Sequence, residues 1–92
     1  MKAFYLSLKT ERCDPPQMLK VTGTCTAFEG GEVLLMSKIL KVLKKLEKFG
    51  GRIFKRHLER TNSGEIIIFY YLIFASQEDA NEAFQLIREG AG

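Results

Sequence analysis

The chain has 92 residues, with 14 Lys and Arg against 11 Asp and Glu, a net charge of +3. That length holds one domain, residues 1–92, with a modest core. Hydrophobic content of 46% and charged content of 27% are those of an ordinary globular domain, and two cysteines exclude a disulfide framework.

Residues 3–9 alternate, Phe4, Leu6 and Leu8 facing one way and Tyr5, Ser7 and Lys9 the other. This predicts a half-buried strand. Met1 to Lys9 has too short an apolar core for a secretory signal and lacks a small-residue cleavage site. A cytoplasmic protein is therefore expected, with Cys13 and Cys25 as free thiols. Cys13-Asp14-Pro15-Pro16 reads as an irregular connection, because prolines do not sit in central strands. Residues 18–28 are rich in β-branched side chains and predict a second strand, with Gly23 marking a bulge.

Glu29-Gly30-Gly31 breaks that strand, and a helix is expected from about Glu32 to Phe49. Leu35, Met36, Ile39, Val42, Leu43 and Leu46 form its apolar stripe. Lys38, Lys41, Lys44, Lys45 and Lys48 fall on the opposite arc and read as a solvated face. Gly50-Gly51 ends the helix. Residues 29–32 lack the lysine and hydroxyl of a phosphate-binding loop, so they read as a turn with charge complementing the helix dipole.

Arg52 to Arg60 predicts a third strand and Glu65 to Ala75 a fourth, joined at Asn62-Ser63-Gly64. A three-residue loop pairs Thr61 with Glu65, sends Phe54 and Leu58 inward, and leaves Ile53, Lys55 and His57 outward. A four-residue loop would instead put Arg52, Phe54, Arg56 and Leu58 outward; burial of Phe54 and Leu58 favours the shorter one. Ser76 caps a last helix over about Gln77 to Glu89, with Ala80, Ala83, Phe84 and Ile87 on its inner face. The order β-β-α-β-β-α predicts an α+β two-layer sandwich: a four-stranded, mainly antiparallel sheet with both helices on one face. It resembles the ferredoxin-like β-α-β-β-α-β architecture with its last strand supplied from the N-terminus.

The fourth strand carries the functional signal, because it is apolar on both faces and 92 residues rarely cover both faces of a sheet. Ile66, Ile68, Tyr70, Leu72 and Phe74 are expected under the helices. Ile67, Phe69, Tyr71 and Ile73 are then left on the open face. Ile66–Ala75 is too short for a membrane helix, which needs about 20 apolar residues. Phe69 and Tyr71 match the two stacking positions of the RNP1 pattern of RNA recognition motifs, and Leu72 and Phe74 the core ones. The chain has no basic residue at 67 and no glycine at 68, and bulky Tyr70 replaces a small residue, so this is a shared physical pattern over eight residues.

The predicted binding face comprises Tyr5, Lys55, Arg56, His57, Ile67, Phe69, Tyr71 and Ile73. It is expected to contact another protein or a second copy of the chain, as contiguous apolar patches do. The alternative partner is single-stranded nucleic acid, whose bases stack on aromatic rings while cations hold phosphates. No cofactor and no membrane partner are expected. Cys13, Cys25 and His57 show no metal-ligand spacing. No group orients a Cys25–His57 pair, and no carboxylates are paired for acid–base work, so no enzyme is expected.

Overall fold

The computed structural model describes residues 5–27 and 30–90. Its elements are β1 (Leu6–Arg12), β2 (Met18–Thr26), α1 (Gly31–Glu47), β3 (Arg52–Arg60), β4 (Glu65–Ile73) and α2 (Gln77–Gly90). The strands form one antiparallel sheet in the order β1-β2-β4-β3. The expected α+β sandwich is therefore the observed one. The strand leading into α1 takes β1 as its neighbour, as the rearranged ferredoxin-like order requires. Ala3, Phe4, Phe28 and Glu29 lie outside the described residues.

Alternation decides which face is covered. Leu19, Val21 and Cys25 of β2 and Ile66, Ile68, Tyr70 and Leu72 of β4 are buried beneath the helices, where Leu35, Ile39, Leu43 and Leu46 of α1 meet them. The predicted stripe of α1 is thus its core face. Gly23 does not make a bulge; the ladder runs through it without a register shift. A Cβ there would stand 2.7 Å from Ile39 Cδ1 and 2.9 Å from Leu35 Cδ1, so the missing side chain lets α1 settle onto β2. Ser76 Oγ accepts the Asp79 N–H at 3.1 Å and caps α2. Ala80 and Ala83 let α2 lie close, and Arg12 of β1 sits 4.9 Å from the ring centre of Phe84.

The helices cover the inner faces of β1, β2 and β4. The far edge strand β3 has no helix above it, and all nine of its residues are exposed. This corrects the expectation that Phe54 and Leu58 are buried: Phe54 is 64% and Leu58 42% exposed. The predicted three-residue turn does form, with Thr61 N–H donating to Glu65 O at 2.9 Å and Gly64 at φ 84°. A bulge between Ile53 and Lys55 then shifts the register. It pairs Ile53 with Leu72 and Arg52 with Ile73, so Ile53 turns to the helix side and Arg52 to the open side.

Candidate functional site: the open face of the sheet

Strand register builds this face row by row. One row runs Lys9–Thr22–Phe69–His57, and the next Glu11–Lys20–Tyr71–Lys55. Ser7–Thr24–Ile67–Glu59 lies on one side of these rows, and Met18–Ile73–Arg52 on the other. At the far end Tyr5 meets Thr26 through its backbone and donates its phenol hydroxyl to the Glu65 carboxylate. Of the predicted face, Tyr5, Lys55, His57, Ile67, Phe69, Tyr71 and Ile73 come together on this surface. Arg56 does not. It pairs with Tyr70, whose side chain is in the core, and it lines a depression with Met36 and Leu58 on the helix side. The three-residue turn fixes that parity.

The centre of the face is an aromatic pair flanked by an imidazole and an ammonium. Phe69 and Tyr71 meet edge to face, centroids 5.5 Å apart at 84°. His57 stacks on Phe69 at 4.8 Å and 27°. The Lys20 ammonium lies 4.5 Å from the Phe69 centroid and 5.5 Å from that of Tyr71. Lys20 comes from β2 and His57 from β3, the two neighbours of β4, so Phe69 is flanked from both sides. The sequence reading missed Lys20, although its alternation with Leu19 and Val21 carried the signal. Lys9 pairs with Glu11 at 3.8 Å, whereas Lys20 and Lys55 have no carboxylate partner among the described residues.

The connection between β1 and β2 leaves this face open. Cys13 N–H donates to Met18 O, Met18 N–H to Pro15 O, and Phe74 N–H to Gln17 O. These bonds tie residues 13–17 to the end of the sheet. Ile67, Phe69, Tyr71 and Ile73 are each half-buried by their row neighbours.

Other chemistry is sparse. Cys13 and Cys25 are free, and the Cys25 thiol is buried, directed at Gly31 O at 3.8 Å. Among the described residues no three His, Cys, Asp or Glu side chains group as metal ligands, and no helix is long and apolar enough to cross a membrane. The chain matches no family model, no curated protein and no solved structure.

Proposed function

We propose that the protein is a non-enzymatic binding module whose open sheet face holds single-stranded nucleic acid. The observation that carries this reading is the Phe69–Tyr71 pair with Lys20 across both rings. An exposed cation–π contact is worth about 0.5–1 kcal/mol. A base stacked on an aromatic ring is worth about 1–3 kcal/mol. A base can therefore take the ammonium's place over Phe69, and Lys20 is released to a phosphate within reach. Lys9 and Lys55 flank the same rows and supply further phosphate contacts. In the cytoplasm both thiols stay reduced.

Contact with a protein or a second copy through this face is the second reading, favoured by Ile67 and Ile73. They stand at its two ends, six residues or roughly 20 Å apart. A dry interface between them would also bury Lys20 and Lys55, and desolvating unpaired charge is costly.

Titration of labelled single-stranded RNA and DNA of mixed sequence at rising salt tests the choice. Three phosphates neutralised give a log–log slope of about −2, so a fourfold rise in salt weakens binding roughly twentyfold. Phe69→Ala and Lys20→Gln are each expected to weaken it at least fivefold. Binding that ignores salt and both substitutions rules the reading out.

A further inference from the structure

The helix layer stops short of one edge of the sheet. The helices bury the inner face of β4 but leave the edge strand β3 with no helix above it. The space beside α1 is an apolar trough. It consists of two adjoining depressions that share Glu32 and Met36: Val33, Met36 and Leu40 form the wall on α1, and Leu58 stands on the sheet above the buried Ile68 and Tyr70. Val33 is 74% and Leu40 48% exposed. Val33 and Leu40 are exposed apolar groups at i and i+7 on one side of α1, with half-buried Met36 between them, beside the core stripe through Leu35, Ile39, Leu43 and Leu46.

Among the described residues the unpaired charge around the trough is positive. Lys41 and Lys44 line it from α1 and Arg56 from β3. Its carboxylate, Glu32, is held by Arg60 at 2.6 Å. Lys41, Lys44 and Arg56 have no ion-pair partner among the described residues. We infer that this trough receives an acidic amphipathic helix from a protein partner, which completes the helix layer over β3. Apolar groups at i, i+3, i+4 and i+7 of that helix fill the space between Leu40 and Leu58. Its flanking carboxylates meet the two lysines on one side and Arg56 on the other. The chain's own helices do not fit. α1 is basic along its exposed arc, and the apolar face of α2, at Ala80 and Ala83, is buried on its own sheet. The trough lies on the opposite side of the sheet from Phe69, so this inference stands apart from nucleic-acid binding.

The test uses the full chain and a synthetic helix-forming peptide with leucines at i, i+3, i+4 and i+7 and glutamates elsewhere. Two controls are the same peptide with lysines for the glutamates, and an acidic peptide of equal composition with its leucines scattered. Anisotropy is expected to show the acidic amphipathic peptide binding at least tenfold tighter than either control. Leu40→Glu, Leu58→Glu and the purely electrostatic Lys44→Glu should each weaken it fivefold or more, while Phe69→Ala leaves it unchanged. All three positions are exposed, and circular dichroism checks that the variants keep their fold. Absence of binding, equal binding of a control, or indifference to the three variants overturns the inference. So does a dimer, by sedimentation, that Leu40→Glu dissociates, because a second copy then fills the trough.

Discussion

The Lys20 ammonium rests 4.5 Å from the centre of the Phe69 ring, held there across the β2–β4 ladder. The contact joins β2 to β4 in the free protein, and under the proposed function a stacked base would displace it. Removing the charge therefore has two separable effects. Lys20→Met is expected to cost less than about 1 kcal/mol of stability, the worth of an exposed cation–π contact. It is expected to cost more in nucleic-acid affinity, because a phosphate contact is lost as well. A double-mutant cycle with Phe69→Leu, read by urea denaturation, isolates the first term. Equal losses in Lys20→Met with and without the Phe69 ring would show that the two side chains are not coupled.

Where the sequence was legible, a physical rule had only one solution. Unbroken apolarity in Ile66–Phe74 required both faces of β4 to be used, and entry into α2 at Ser76 settled which set went beneath the helices. The three-residue turn forms for a reason other than the one that favoured it, since the expected burial of Phe54 and Leu58 is not observed; Gly64 at φ 84° suits that loop, and the loop sets the parity of Lys55 and His57. The bulge at Phe54 left no such mark. Its segment, Arg52-Ile53-Phe54-Lys55, contains no glycine, and its neighbours read as ordinary strand. The exposure of β3 was hidden for a different reason. It depends on where the helices sit across the sheet, which no periodicity within a single element encodes. Val33 and Leu40 carried a hint, since they are apolar residues outside the stripe that faces the core.

Gly23 governs that placement and gives the second prediction. A methyl group at this position would overlap Ile39 Cδ1 and Leu35 Cδ1, both in the fully buried core. Overpacking of this kind costs about 1–3 kcal/mol. Gly23→Ala is expected to fall in that range by chemical denaturation. Ile39→Val removes the nearest clashing carbon, so the double variant should lose less than the sum of the two single ones. Simple additivity would mean that the backbone, rather than Ile39, yields to the new methyl.

The cysteines give the third prediction, through pH. Burial pushes the Cys25 thiol above its ordinary value of 9.0, and the Glu32 carboxylate adds to the shift. Burial also raises Cys13; Lys20 opposes this and Glu11 reinforces it. A thiol whose pKa is raised by folding keeps its proton when the unfolded chain has begun to lose its own. Its contribution is complete below about pH 9 and is lost as pH climbs through the raised folded value. Stability should therefore fall from about pH 8 to about pH 10. Cys25→Ala should lower stability at both values, since it empties core volume, yet make the alkaline decline shallower. Labelling by a thiol reagent should reach half-buried Cys13 first and Cys25 only as the fold opens, because the Cys25 side chain is sealed between β2 and α1. An unchanged alkaline slope in Cys25→Ala, together with equal labelling rates, would place the protons that matter elsewhere in the chain.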